Sequence, residues 1–280
     1  MSMTIDHTRC TRCQACVSVC PERLIAEGPV TGPEIAAYCL RCGHCMAMCP
    51  AGAITVDGVG EHPAGERVSP AALLALLRAR RSGRRYTDEP VSRAHLEALL
   101  DAAATAPSAK NFRPVKVYVY VGTEVITAIR AATVACYRRL LSLLRLPGHR
   151  LLYRLLGVPA ALHARLDHDA RFLTDGEGDP LLHGARTLLA FTAPRGWAQG
   201  IGDAWLAAHG AVLYAETIPL ATCYNGFVAQ AAGMDARVRR AMGVPAAEMV
   251  VAVLTLGYPA SRPHRALTRE GLAVVWDDVE

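Results

Sequence analysis

Eight of the ten cysteines fall into two copies of one pattern, Cys10-x2-Cys13-x2-Cys16-x3-Cys20-Pro21 and Cys39-x2-Cys42-x2-Cys45-x3-Cys49-Pro50. Three cysteines at intervals of three wrap a tight loop, so their thiolates can reach three irons at the corners of a compact iron–sulfur core, and a fourth ligand must arrive from elsewhere in the chain. Two other chemistries compete for the same residues. A disulfide framework needs an oxidising compartment, and the opening MSMTIDHTRC has neither the basic nor the apolar region of an export signal. Eight thiolates could also hold two zinc ions, but the repeated x2-x2-x3 spacing followed by Pro is commoner among iron–sulfur sites than among zinc ribbons. Val17, Val19, Leu40, Met46 and Met48 are the expected apolar shell, which would keep water from the sulfurs and lower the potential. His7 and His44 lie near the cysteines and are expected at the surface or as donors to the ligands.

The pattern is similar to that of the bacterial two-cluster ferredoxins. That resemblance implies a crossed ligand set: Cys10, Cys13, Cys16 and Cys49 on one [4Fe–4S] cluster, and Cys39, Cys42, Cys45 and Cys20 on the other. Residues 1–58 are accordingly expected to be an electron-transfer domain.

The rest of the chain must supply a partner for those electrons. At 280 residues, 52% hydrophobic and 20% charged, it can build one sizeable core beyond the cysteine-rich segment. The formal net charge of +5 is modest and dispersed, so nucleic acid is not expected as a partner. Arginines interrupt the most leucine-rich stretch, so no membrane span is expected, and the reading is a soluble cytoplasmic protein. VGEHPAGERVSP, rich in Gly, Pro and charge, marks a linker at 59–69.

From Ser69 the pattern becomes helical. Ser69-Pro70 reads as an N-cap with Pro at the first helical position, and Leu73, Leu74, Leu76 and Leu77 as a buried stripe. A second helix is expected from near Ser92 to before Pro107. Strands are expected at Val115–Val121 with the valines on one face, at Thr187–Ala193 and at Val250–Tyr258, with a small-residue helix over Asp203–Ile218. The fold class is therefore α+β, with helices against a mixed central sheet.

Three stretches of this second domain carry chemistry. Arg80-Arg81-Ser82-Gly83-Arg84-Arg85-Tyr86 follows the first helix; Ala106-Pro107-Ser108-Ala109-Lys110-Asn111-Phe112-Arg113-Pro114 precedes the valine strand; Leu256-Gly257-Tyr258-Pro259 is followed by Arg262, Arg265 and Arg269. The first and third offer guanidinium forks and a hydroxyl, which suit a phosphate monoester, and the second offers an amide at a strand edge. Singly, an arginine run at a helix end is a solvated face and Asn111 is a turn residue. Cys136 and Cys223 read as small buried hydrophobes.

Together, in this order, the three stretches resemble the nitroreductase family of FMN flavoproteins over about Ala71 to Arg269. The resemblance implies that Arg80, Ser82 and Arg84 bind the FMN phosphate, with Arg269 returning to it and Lys110 facing it. It also implies that Pro107, Ser108, Ala109 and Asn111 lie along the ribityl chain and ring. In many cluster-bearing members a G-L-G-T-C segment puts backbone N–H groups against flavin N5. Here it reads Pro219-Leu220-Ala221-Thr222-Cys223, so both glycines are replaced and the contact would fall to the N–H of Ala221 and Thr222. With the flavin carrying the chemistry, no side-chain catalyst is expected.

The resemblance thus implies a nitroreductase-like FMN-binding domain over 70–280, in a homodimer. Residues 124–183, with their leucine–arginine helices, are expected to form a lid or dimer contact, and Tyr137, Tyr153, His163, His168 and Phe172 are candidates for a substrate pocket. The expected function is an FMN-dependent oxidoreductase in which two [4Fe–4S] clusters relay electrons from an external low-potential donor, a ferredoxin or a reductase, to FMN for reduction of a small organic acceptor (nitroaromatic, quinone or related electrophile). A carrier that passes electrons to a partner protein, a sensor without turnover, and an NAD(P)H-fed enzyme with the clusters as outlet are the alternatives. No G-x-G-x-x-G follows a strand, so no dinucleotide domain is built in.

Overall fold

The computed structural model describes residues 3–26, 30–31, 35–62, 65–144, 165, 168–169, 171–174, 178–267 and 269–277. It divides into two compact units: Met1–Arg67 with Ser108–Arg113, and Val68–Pro107 with Pro114–Glu280.

In the first unit, β1 (Met3–Ile5) pairs antiparallel with β4 (Ile54–Val56), Met3 opposite Val56 and Ile5 opposite Ile54. β2 (Ile25–Ala26) and β3 (Val30–Thr31) form a second short ladder. Helices α1 (Ala15–Val19), α2 (Ile35–Tyr38) and α3 (His44–Ala47) are one turn or little more. Met3, Cys16, Ile25, Ile35, Ile54 and Val56 form the buried core, with Val17 and Met46 packed against it. Met48 departs from expectation: it is 53% exposed, because it is the residue that ends α3 and lies beyond the helix's inward face.

In the second unit, α4 (Pro70–Ala79) begins as the sequence predicts, with the Ser69 hydroxyl accepting from the Ala72 N–H and Pro70 at its first position. Its leucines are not buried. Leu73, Leu74 and Leu77 are each more than 40% exposed and only Leu76 is half-buried, so the amphipathic stripe lacks an apolar cover among the described residues. α5 (Arg93–Ala104), capped by Ser92, buries Leu96, Leu99 and Ala103.

The sheet of this unit has the order β5–β6–β8–β7, from β5 (Lys116–Val121), β6 (Thr187–Pro194), β7 (Ala221–Tyr224) and β8 (Glu248–Gly257). All three pairings are antiparallel, so these four strands do not form the mixed sheet expected. The reason is topological: β6 and β7, joined through helix α7 (Gly200–Ala215), run the same way, and β8 inserts between them in the opposite sense. The α+β class stands.

Alternation along the strands feeds two helical layers. Leu188, Ala190 and Val253 face helix α6 (Thr123–Leu144) with α8 (Gly226–Met234) and α9 (Ala236–Ala241), whereas Leu189, Phe191, Ala252, Leu254 and Leu256 face α5 and α7. α7 buries Ala204, Ala207, Ala208 and Ala211, small side chains that bring it close to the sheet. On β5 the valines do share a side, but Val119 and Val121 are exposed and it is Tyr120 that enters the core, where its hydroxyl donates to Met242 O at 2.7 Å. α6 falls within the stretch expected as a lid. Residues 124–144 instead form a core helix, with Ile126, Ile129, Thr133, Cys136, Tyr137 and Leu141 buried.

One charged group closes the far end of the sheet. Glu248, 6% exposed, accepts from Lys116 Nζ at 2.6 Å, Thr192 Oγ1 at 2.7 Å and Tyr118 OH at 3.0 Å. Burial alone would raise its carboxyl, but these three hydrogen bonds outweigh it and hold the group below the usual glutamate range. A carboxyl depressed by folding adds stability above its unfolded pKa, and the gain is lost as pH falls through the folded value. Glu248→Gln should therefore lower the thermal midpoint by several degrees at pH 7. The gap to the native protein should close as both are melted at successively more acid pH.

Candidate functional site

The first unit gathers the cysteines in two quartets. Cys10, Cys13, Cys16 and Cys49 line one cavity together with Ile5, Ala53 and Ile54. Cys20, Cys39, Cys42 and Cys45 line another together with Met3, Ile25, Ile35 and Leu40. Each quartet takes three thiols from one run and one from the other. Among the described residues no three Cys, His, Asp or Glu side chains close on a single-ion site. Four thiols spaced around a small apolar cavity suit a larger inorganic core, as the chemistry of the donor set does. Both histidines are exposed; His44 borders the second cavity.

The backbone prepares these sulfurs for charge. Main-chain N–H groups of Arg12, Leu24 and Arg41 point at Cys10, Cys20 and Cys39 Sγ at 3.4 Å each, and that of Ala53 at Cys49 Sγ at 3.3 Å. Arg12 and Arg41 take left-handed φ of 57° and 49° to do so. Burial pushes the Cys16 thiol up and the Cys45 thiol to about 11, so ligation must displace their protons.

The second unit builds its site on the turn after α4. The Gly83 N–H donates to Thr222 O at 2.8 Å, which straps the turn to β7. A Cβ on Gly83 would lie 2.7 Å from Ala221 Cβ, so this approach requires glycine. Tyr86 anchors the other end: its hydroxyl donates to Gly83 O at 2.6 Å and shares a hydrogen bond of 2.9 Å with Thr255 Oγ1 on β8. Its ring occupies the space that a Cβ on Gly257 would need. Thr87 N–H to Tyr258 O and Ala260 N–H to Arg85 O tie the strap to the chain leaving β8.

Between strap and chain lies a cavity of about 590 Å³, bordered by Arg81, Ser82, Arg84, Arg85, Arg262 and Arg265, and by Ala221 and Glu216. Burial raises the Glu216 carboxyl despite a main-chain hydrogen bond from Arg81 and the nearby charges of Arg80 and Arg262. Guanidinium groups and a hydroxyl around such a cavity suit a bound phosphate ester.

The sequence-predicted residues distribute as follows. Ser82, Arg84 and Ala221 line this cavity. Arg80 and Arg269 line a neighbouring one with Arg78 and Arg81. Thr222 is buried in β7, and its hydroxyl is the one buried side-chain oxygen without a hydrogen-bond partner among the described residues. The Pro219–Ala221 segment keeps negative φ at Ala221 and runs directly into β7, so the glycine-type turn is replaced by a strand start. Pro107 lies in the second unit, but Ser108, Ala109, Lys110 and Asn111 group with the first. Asn111 donates both amide hydrogens, to Leu40 O at 2.9 Å and Arg41 O at 3.0 Å, and so has no donor left for a flavin in this arrangement.

Of the pocket candidates, Tyr137 is a core residue. It is 3% exposed, edge-on to Phe227 and bonded through its hydroxyl to Phe227 O. His168 and Phe172 stack on each other, with Phe172 exposed, and Tyr153 and His163 lie outside the described residues. Cys136 and Cys223 are buried, as the sequence predicts. Glu216 and the anchoring role of Tyr86 were not read from the sequence. A glycine inside an arginine run followed by a tyrosine was the available signal for the strap.

Comparison with known proteins follows this division. The Nitroreductase family model matches residues 77–258, and that of the 4Fe-4S dicluster domain matches residues 2–50. No curated protein matches the sequence. Among solved structures, a nitroreductase with bound FMN from Bacteroides fragilis NCTC 9343 is similar with a TM-score of 0.57 and 18% identity, over 73% of this chain and 98% of its own. The FMN and NADPH-dependent nitroreductase NfnB from Sphigopyxis sp. strain HMH gives 0.53 and 23%, over 74% and 99%. A nitroreductase with bound FMN from Desulfitobacterium hafniense DCB-2 gives 0.53 and 17%, over 72% and 97%. At these identities the likeness is one of fold.

The strap's dependence on a missing side chain is open to test. Gly83→Ala should cost about 1–3 kcal/mol through overpacking against Ala221, measured by denaturant unfolding. Gly83→Ala combined with Ala221→Gly should recover most of the loss.

Proposed function

The chain belongs to the nitroreductase family, and from that premise we propose that it is an FMN and iron–sulfur dependent oxidoreductase in which two [4Fe–4S] clusters relay electrons to FMN for reduction of a small organic acceptor. When bound, the clusters supply single-electron storage and the flavin supplies two-electron chemistry. The observation that carries the reading is the presence in one chain of two four-thiol cavities and an arginine-lined cavity that begins within the family-matched region.

Cys10, Cys13, Cys16 and Cys49 would hold one cluster and Cys20, Cys39, Cys42 and Cys45 the other, with the N–H groups of Arg12, Leu24, Arg41 and Ala53 stabilising negative charge on the sulfurs. Ser82 and Arg84 would hold the phosphate of FMN, with Arg80 and Arg269 on its flank. Pro107 and the backbone of Ala221 and Thr222 would face the ring. We assign 1–58 to the cluster domain, 59–69 to a linker and 70–280 to the flavin domain.

The exposed leucines of α4, and Ile201, Trp205 and Leu206 on α7, are apolar surface that a second copy of the chain would cover, and we propose a homodimer. Among the described residues no helix is long and apolar enough to cross a membrane; eight cysteines given over to cluster ligation suit a reducing compartment, and we propose a cytoplasmic enzyme. The electron donor is proposed to be a low-potential ferredoxin or a reductase. A second reading, direct feeding by NAD(P)H with the clusters as outlet, is favoured by the NADPH dependence of the similar NfnB.

An anaerobic mixing experiment separates the two: flavin absorbance should bleach quickly with chemically reduced ferredoxin and slowly with NAD(P)H, and the reverse order establishes the second reading. Arg84→Ala should lower the FMN recovered per chain while the iron content stays unchanged. Cys42→Ala should remove the signal of one cluster and leave FMN bound; full FMN occupancy in the Arg84 variant would refute the phosphate assignment.

A further inference from the structure

We infer, building on the cofactor reading above, that Asn111 is a positioning residue for the iron–sulfur loop between Cys39 and Cys42. Both amide hydrogens of Asn111 are engaged by that loop, one on Leu40 O and one on Arg41 O. The opposite amide orientation would set Oδ1 against two carbonyl oxygens, so the partners themselves fix which atom faces the loop.

The consequence for the sulfurs follows from peptide geometry. Leu40 O and the Arg41 N–H are the two ends of one planar trans peptide and point in opposite directions. The carbonyl end accepts from Asn111, and the N–H end points at Cys39 Sγ at 3.4 Å. Holding the carbonyl therefore aims the N–H at the sulfur, and a hydrogen bond at one end of a peptide strengthens the bond made at the other. Arg41 takes its left-handed φ of 49° within this clamp.

Asn111 is itself held in place. Lys110, Asn111 and Arg113 all have left-handed φ, 49°, 54° and 48°, in one short stretch. That stretch is closed by the Asn111 N–H on Ser108 O and the Arg113 N–H on Ser108 Oγ, both at 2.9 Å. Asparagine tolerates this backbone far better than most side chains, which accounts for its place at the tip of the turn. The segment belongs to the first unit, and the chain on either side of it, from Pro107 back and from Pro114 on, belongs to the second. The matching peptide of the first run, Thr11–Arg12, makes the same bond to Cys10 Sγ and serves as an internal reference.

The test is a redox titration of the holoprotein, with the two cluster midpoints assigned beforehand by the shifts that Cys13→Ser and Cys42→Ser produce. An N–H directed at a cluster sulfur favours the more negative, reduced state. Asn111→Gly, which keeps the left-handed backbone and adds no charge, should move the midpoint of the Cys20, Cys39, Cys42 and Cys45 cluster to more negative potential. The other midpoint should not move. The iron of the shifted cluster should also pass to a chelator roughly tenfold faster or more, the usual scale for losing a partner that orients a metal ligand. Asn111→Ser, also neutral, should follow the same direction. Both midpoints unmoved, or equal shifts of both clusters, would overturn the assignment while leaving the functional reading intact. A native protein that takes up no iron would overturn the reading itself and this inference with it.

Discussion

Strand β8 is paired by β6 over Glu248–Leu256 and, at its end, also by β7 over Leu254–Gly257, and the second unit is organised by that constraint. β6 occupies one side and β7 the other. Its alternating side chains divide between two helical layers, Val253 to one and Ala252, Leu254 and Leu256 to the other. Its beginning carries the buried carboxylate of Glu248, and its end carries Thr255 and Gly257, the contacts of Tyr86. A strand hydrogen-bonded on both sides at its end and covered on both faces cannot shift register without exposing an apolar row, so whatever is attached to that end inherits a fixed position. The arginine strap is attached there.

The first unit meets a different constraint. Its core is a handful of side chains, too few to hold fifty residues by apolar burial alone. Crossing the ligand sets makes each half depend on the other: the cavity of the first cysteine run is completed by Cys49, and that of the second by Cys20. Folding and cofactor assembly are thereby one problem, since an N–H directed at a thiolate is most favourable when the sulfur carries charge.

What could be read from the sequence was whatever is local along the chain. Cysteine spacing, the Ser69-Pro70 cap and the period of α5 depend on neighbours a few residues away, and they fold as written. Features set by distant partners were hidden. Leucines at helical spacing in α4 read as a buried stripe because periodicity reports amphipathicity and not whether a cover exists within the same chain. β7 is four residues long and alternates weakly, so no strand is expected from the sequence at Ala221–Tyr224. The insertion of β8 between two like-directed strands, which makes the sheet antiparallel, leaves no local trace. Asn111 carried the motif of a flavin contact, but where its amide points is decided by two carbonyls seventy positions earlier.

Four of the contacts to cysteine sulfur among the described residues come from the main chain of Arg12, Leu24, Arg41 and Ala53, residues of three quite different kinds. An amide proton is present whatever side chain the residue bears, proline excepted. The electrochemical environment of these sulfurs is therefore insulated from most mutational drift at the positions that create it. Surface charge around the clusters is free to diversify, for instance to suit different electron donors, while the local bonding of the sulfurs is inherited unchanged.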